Sequence, residues 1–290
     1  MLELPKVSLQ RRFVDFLEED VGLGDITTEA VVPSGTKTRA QIVMKEASVV
    51  AGLSEVGILF ETLGTKFAAK AKDGDEVASG AIVAYVEGDG RVVLETERTV
   101  LNILMRMSGI ATATRNLVKK VKGAGLDVRI AATRKTAPGL RYFDKKAVVI
   151  GGGDPHRFRL DDAYLVKDNH IRIAKGMRHA IERIRSVASF PKTLEVEAKT
   201  LEQAVEAAEL GVNAVMLDNM TPKEAEKTMK ALTAKNLRNK TLIEISGGVS
   251  EENLLEYARL RPDVISLGSL THSVRAVDMS LEVIDTDNKK

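Results

Sequence analysis

Arg134 and Lys135 stand side by side between two threonines, directly after the apolar run Val128-Arg-Ile-Ala-Ala132, and Pro138-Gly139 then breaks the chain. A strand that ends in adjacent cations and a turn aims positive charge at one spot. The pattern recurs. Lys167-Asp-Asn-His170 closes the next apolar run, and Gly151-Gly-Gly-Asp-Pro-His-Arg157 lies between the two. Arg grips carboxylates and phosphates through two parallel hydrogen bonds, and Lys offers a mobile point charge. The chemistry suggested is the binding of anions.

Acids and glycines end the later apolar runs. Glu197 follows Leu194-Glu-Val196, Asp218 follows Ala214-Val-Met-Leu217, Ser246-Gly-Gly248 follows Leu242-Ile-Glu-Ile245, and Gly268-Ser269 follows Val264-Ile-Ser-Leu267. The steps between positions 197, 218, 246 and 268 are 21, 28 and 22 residues. Each step is about one strand–helix unit, so the four positions share one rim. Alone, Glu197 or Asp218 reads as a helix cap or a solvated loop acid, and Gly247-Gly248 as a turn. Together, the two acids can coordinate Mg²⁺ or hold sugar hydroxyls. Glycine-rich ends of late strands can cradle a phosphate with backbone N–H groups. The rim expects a phosphorylated sugar, a divalent metal and a second anionic substrate.

The elements that must carry these residues alternate. From about residue 126, strand candidates at 128–133, 163–166, 193–196, 214–217, 242–245 and 264–267 are separated by helical windows at 172–187, 201–210, 222–232 and 251–260. The last two windows open with the capping signals Thr221-Pro222 and Ser250-Glu-Glu. Apolar strands alternating with helices predict a parallel sheet. A barrel suits polar groups at every strand end better than an open sheet does, because an open sheet concentrates its site at one switch point. The first third differs. A helix at 8–17, a turn-rich link at 22–28, short β runs at 39–44, 48–51 and 81–86, and a helix at 54–63 predict a small α/β sandwich. A helix at 94–107 carries the stripe Val100, Leu101, Leu104, Met107, and Ser108-Gly109 is read as a soft break before a second helix at 111–122. The domain boundary is placed there: 1–108, then 109–271.

Bulk composition narrows the field. Hydrophobic content is 44%, charged content 29% and net charge +2, so no global field points to nucleic acid. The absence of cysteine excludes disulfides and thiolate chemistry. Met1–Phe13 has no apolar core of a leader and no run approaches a membrane span, so a soluble cytoplasmic chain is expected. Asp161-Asp162 lacks a following Thr-Gly-rich phosphate loop and reads as a turn. Gly151-Gly-Gly153 lacks dinucleotide-fingerprint spacing. His170, His179 and His272 lack metal-ligand spacing.

The ordered motifs Thr133-Arg-Lys-Thr136 with Pro138-Gly-Leu-Arg141, Gly151-Gly-Gly153 with His156-Arg157, Lys167-Asp-Asn-His170, Leu194-Glu-Val-Glu197, Met216-Leu-Asp-Asn219, Ser246-Gly-Gly248 and Gly268-Ser-Leu-Thr-His-Ser273 resemble those of the quinolinate phosphoribosyltransferase family. Gly24-Asp-Ile-Thr-Thr28 and Glu97-Arg-Thr-Val-Leu-Asn102 extend the resemblance through the first half. The resemblance implies an N-terminal α/β sandwich, with the segment 272–290 packed on it, and an incomplete, seven-stranded α/β barrel. The composition pattern yields six strands and does not place the seventh.

The implied reaction converts quinolinate and phosphoribosyl pyrophosphate to nicotinate mononucleotide, pyrophosphate and CO₂, with Mg²⁺. Carried over by position, Thr133, Arg134, His156, Arg157 and Lys167, with Arg98 from a neighbouring subunit, hold the ring carboxylates. Lys135 and Lys167 reach pyrophosphate. Glu197 and Asp218 hold ribose hydroxyls, directly or through Mg²⁺. Ser246, Gly247, Gly248, Gly268 and Ser269 cradle the 5′-phosphate. The implied assembly is a homodimer with shared sites, in some members a hexamer built as a trimer of dimers. Three rivals remain. A related protein of molybdenum-transport operons shares the architecture, but the intact Arg/His/Lys set argues against it. A non-catalytic nucleotide-binding barrel would lack some acids and cations. A Schiff-base aldolase would need Lys167 desolvated.

Overall fold

The chain runs α1 (Lys6–Val21), α2 (Ile26–Val31), β1 (Lys37–Met44), β2 (Ser48–Val49), α3 (Leu53–Thr62), β3 (Lys66–Ala69), β4 (Glu76–Val77), β5 (Ile82–Asp89) and α4 (Gly90–Gly123). It continues with β6 (Arg129–Ala131), α5 (Arg141–Ile150), β7 (Tyr164–Val166), α6 (Asp168–Ile173), α7 (Met177–Val187), β8 (Leu194–Ala198), α8 (Leu201–Glu209), β9 (Ala214–Asp218), α9 (Pro222–Ala234), β10 (Leu242–Ser246), α10 (Leu254–Ala258), β11 (Val264–Ser266), α11 (Ser269–His272) and β12 (Met279–Asp287). These elements come from a computed structural model, which describes residues 3–287. They form two compact units. Among the described residues, the first takes in 3–115, 138–152 and 274–287, and the second 116–137 and 153–273.

In the first unit an antiparallel sheet has the order β12-β1-β5-β3. On β1, Thr38, Ala40, Ile42 and Met44 are buried at every second position, the period of a half-buried strand. The same unit also buries Val56 and Phe60 of α3 and the stripe Val100, Leu101, Leu104 and Met107 of α4, all at most 2% exposed. Asp25, expected in a turn, instead starts α2: its carboxylate accepts the N–H groups of Thr27 and Thr28.

The break read at Ser108-Gly109 does not occur, because α4 runs through it for 34 residues. The glycine serves a close approach. A Cβ at Gly109 would lie 2.1 Å from the Arg275 carbonyl oxygen. Ser108 Oγ accepts the Ala51 N–H at 3.0 Å. α5, absent from the sequence reading, buries Asp144, Lys145 and Lys146. Arg106 holds Asp144 through two bonds of 2.7 and 2.9 Å, and Lys146 meets Glu55 at 2.5 Å. Buried charges persist when paired in this way.

In the second unit six strands form an all-parallel sheet of order β6-β11-β10-β9-β8-β7. The seventh place, beside β6, is reduced to a single parallel bridge between Ala131 and Asp154. It is held by Ala132 N–H to Asp154 C=O and Asp154 N–H to Ile130 C=O. Val196, Val215, Leu217, Ile243, Ile245 and Ile265 are buried on one face. Residues of the opposite parity, among them Glu195, Glu197, Met216, Asp218, Glu244, Ser246 and Ser266, fall on the other. Register aligns them: Glu197 with Met216, Met216 with Glu244, and Ser246 with both Asp218 and Ser266.

The window 172–187 is two helices, α6 and α7. Lys175 at φ 58° and Gly176 at φ 145° cannot continue a right-handed helix. Thr221 and Glu224 form the expected reciprocal cap of α9. Ser250 does not cap α10, which is only five residues long and starts after Asn253.

Candidate active site

Nine of the residues singled out by sequence come together around one cavity of about 420 Å³ in the second unit. Thr133, Arg134 and Lys135 follow β6, His156 and Arg157 precede β7, and Lys167 follows it. Glu197, Asp218 and Ser246 come from the ends of β8, β9 and β10. His156 and Arg157 follow the bridge residue Asp154, and the others lie at the carboxyl ends of parallel strands, the active face of such barrels.

Local bonds shape each wall. The Lys135 N–H donates to Thr133 Oγ1 at 3.1 Å, and the Lys135 carbonyl accepts Thr271 Oγ1–H at 2.8 Å. This pins the turn that carries the two cations. Lys167 Nζ is ion-paired with Glu197 Oε1. Asn219, at φ 56°, donates its amide to Asp218 Oδ1 at 3.0 Å. Gly247 is needed here: at φ +84°, a Cβ would also meet the Asn219 amide at 2.4–2.9 Å. Gly247 and Gly248 continue the turn from Ser246. Gly268 lies against His272 and Lys135, and Ser269 opens α11.

The electrostatics are those of an anion site. Burial and the neighbouring Arg134 both depress Arg157 below the ordinary guanidinium value. Arg134 Nε is fully buried without a hydrogen-bond acceptor among the described residues. An unpaired buried donor is costly, and a bound anion would satisfy it. Beneath the cations lies an acidic floor. Glu195 is pushed up to about 8 by burial and by Glu244. Burial also acts to raise Glu244, but hydrogen bonds from His156 and Ser266 outweigh it and hold Glu244 below the ordinary range.

Arg98 stands elsewhere. It is an exposed residue of α4 in the first unit, beside a cleft that also takes in Asp20, Asp25, Glu95 and Glu97. Residues that sequence reasoning missed include Glu195, Glu244, Ser266 and Asn219. Parity could have found three of them. Glu195 lies two positions before Glu197, and Glu244 two before Ser246, on strands where alternate residues share a face. Ser266 sits opposite Ser246 on the next strand.

Comparison with known proteins agrees with this geometry. Residues 25–108 match the model of the quinolinate phosphoribosyl transferase N-terminal domain, and residues 110–282 match that of the C-terminal domain. A probable nicotinate-nucleotide pyrophosphorylase (carboxylating) of Methanocaldococcus jannaschii is 48% identical over 270 residues, 92% of this chain and 94% of the relative. The human nicotinate-nucleotide pyrophosphorylase (carboxylating) is 36% identical over 282 residues, 97% of this chain and 94% of the relative. The solved nicotinate-nucleotide pyrophosphorylase from Francisella tularensis superposes with a TM-score of 0.87 at 31% identity, covering 98% of both chains. With both domain models matched and such identity across nearly its whole length, the chain belongs to the quinolinate phosphoribosyl transferase family.

Proposed function

We propose that the cavity is a quinolinate phosphoribosyltransferase site, in which Arg134, Arg157 and Lys167, with Thr133 and His156 on the same wall, receive the ring dicarboxylate. The reaction joins quinolinate to phosphoribosyl pyrophosphate, releasing pyrophosphate and CO₂ and leaving nicotinate mononucleotide. The pyridine nitrogen attacks the anomeric carbon while the bond to pyrophosphate breaks. Positive charge grows on the sugar as it becomes oxocarbenium-like, and negative charge grows on the leaving group. Glu197 and Asp218 face the sugar, stabilise that positive charge and hold the ribose hydroxyls. Lys135 and Lys167 neutralise the departing pyrophosphate. Ser246, Gly247, Gly248, Gly268 and Ser269 cradle the 5′-phosphate. Once the ring nitrogen is quaternised, the ring accepts the electron pair left by CO₂, so no separate base is required.

Glu197 and Asp218 supply hard oxygen donors, with Asp218 oriented by the Asn219 amide. This donor set suits Mg²⁺, which binds through one or two carboxylates and keeps water and substrate oxygens. Such an ion would neutralise charge on the pyrophosphate oxygens.

The protein works as a cytoplasmic homodimer in which Arg98 of one copy completes the site of the other; a hexamer would be a trimer of such dimers. Among the described residues no helix is long and apolar enough to cross a membrane. Exposure of Leu23, Ile26 and Val31, near Arg98's cleft, supports a covered face in the assembly.

One observation carries the reading: the buried Arg134 Nε lacks an acceptor inside a cation-lined cavity. Calorimetric titration tests it. Quinolinate should bind more tightly than nicotinate by about two orders of magnitude, the worth of one charge-assisted contact. Equal affinities would place the second carboxylate outside the cation cluster.

A further inference from the structure

Under the cations a hydrogen-bond chain joins His156 to Ser246 through Glu244 and Ser266, two residues with no part in the proposed reaction. His156 sits at φ 53°, and its N–H is held by Asp154 Oδ1 at 2.7 Å. Its ring Nδ1 accepts the backbone N–H of Arg157 at 2.7 Å. An acceptor nitrogen carries no proton, so in the neutral ring the proton is on Nε2. Nε2 lies 3.0 Å from Glu244 Oε2 and donates to it. The other Glu244 oxygen accepts Ser266 Oγ–H at 2.6 Å. Ser266 Oγ is 2.8 Å from Ser246 Oγ. A hydroxyl has one proton, so Ser246 is the donor in that last contact. The chain therefore runs from the end of β10 through Glu244 and His156 to the backbone of Arg157.

Arg157 needs such support. It lies beside Arg134, and two guanidiniums repel each other. Its head group donates to the Ala163 carbonyl at 3.3 Å. Glu244 is buried, only 4% exposed, and sits inside the otherwise apolar run Leu242-Ile-Glu-Ile245. A buried acid at that position is expensive unless it is engaged.

We propose that Glu244 is a positioning residue for capture of the ring dicarboxylate, holding His156 in the Nε2–H tautomer that accepts the Arg157 N–H and so fixing Arg157 against Arg134. His156, Glu195 and Glu244 also lie within 4.8 Å of one another, as metal ligands would. The direct His156–Glu244 bond and the adjoining guanidiniums favour a hydrogen-bonded unit over a bound cation. The proposal rests on the reading of the cavity as a dicarboxylate site.

The variants Glu244→Ala and Glu244→Gln separate position from charge. Gln still offers an oxygen to Nε2–H, so it should keep the tautomer. Ala leaves Nε2–H without its acceptor, which favours the other tautomer and sets donor against donor at Arg157. In full-length protein labelled with ¹⁵N-histidine, two-bond correlation spectra read the tautomer directly, and the His156 signal is identified by its loss in His156→Asn. Nε2–H is expected in the native protein and in Glu244→Gln, and a shift away from it in Glu244→Ala. The KM for quinolinate should rise about tenfold to a hundredfold in Glu244→Ala, the range for stranding one buried donor. In Glu244→Gln it should stay within about threefold, and the KM for phosphoribosyl pyrophosphate should hold in both variants.

An Nδ1–H tautomer in the native protein overturns the proposal. So does equal loss in Ala and Gln, an unchanged KM in Ala, or a stoichiometric divalent ion that Glu244→Gln releases. Should the Ala variant not fold, Glu244→Gln decides alone: loss of its Nε2–H tautomer or a tenfold rise in KM overturns the proposal. The tautomer is read without turnover. Absence of quinolinate turnover in the native protein would therefore count against the assigned reaction, while the spectra still judge the positioning unit.

Discussion

Lys167 and Glu197 are ion-paired across the cavity, the lysine side chain 43% exposed and the glutamate only 11%. The cation assigned to the ring acid and pyrophosphate and the carboxylate assigned to the sugar neutralise each other before substrates arrive. Binding must part them, which couples the two halves of the site. Glu197→Gln removes the pair and frees Lys167. Turnover should fall by about a hundredfold, the scale of losing one electrostatic group in a transition state, while quinolinate affinity stays level or improves. Steady-state kinetics with calorimetry measures both. Near-normal turnover in both Glu197→Gln and Asp218→Asn would remove the acids from the mechanism.

Arg134 supplies the second prediction. Its buried Nε has no hydrogen-bond acceptor among the described residues. Arg134→Ala should weaken quinolinate binding by about two orders of magnitude, with a smaller effect on phosphoribosyl pyrophosphate. Thermal stability should hold or rise, since an unsatisfied buried donor disappears. Unchanged quinolinate affinity would place the carboxylates elsewhere.

Arg98 is exposed and falls off the buried stripe of α4. If it completes a neighbour's site, Arg98→Ala should lose activity yet keep its fold and its dimer. Mixing it with Glu197→Gln, under conditions that exchange subunits, should restore part of the activity. In a mixed dimer one site receives both intact residues and the other receives neither. Exchange confirmed with labelled subunits but without recovered activity would exclude action in trans.

Gly109 makes a prediction about stability. A methyl group there would strike the Arg275 carbonyl at 2.1 Å, with backbone on both sides of the contact. Gly109→Ala normally favours a helix. Here overpacking should outweigh that gain and destabilise by about 3 kcal/mol, lowering Tm by roughly 6–12 °C. An unchanged Tm would mean that α4 and the segment at Arg275 are not so closely packed.

Gly109 also marks where the sequence misleads. A glycine mid-helix carries the same local signal whether it ends a helix or admits a neighbouring backbone, and only the Arg275 contact, 166 residues away, decides. Gly176 erred the other way: the apolar spacing of 172–187 hid a φ of 145°. α5 was illegible because Asp144, Lys145 and Lys146 look solvated until Arg106 and Glu55 are placed beside the helix. The strand ends were legible, since each couples an apolar run to a polar residue, and a parallel sheet puts all such ends on one side. Glu195 and Glu244 were missed, although strand parity places them on the face of Glu197 and Ser246, because they lie inside those runs. Their importance depends on which face of the strand they share with Glu197 and Ser246, and on His156 reaching them from a loop.

The most direct measurement is product formation by the purified full-length protein with quinolinate, phosphoribosyl pyrophosphate and Mg²⁺, followed beside an identical reaction with nicotinate. Quinolinate should yield nicotinate mononucleotide with one CO₂ and one pyrophosphate per turnover. Chelation should stop the reaction and added Mg²⁺ restore it, while nicotinate reacts at least a hundredfold more slowly for want of the second carboxylate. Preference for nicotinate, or product formed without CO₂, would contradict the account.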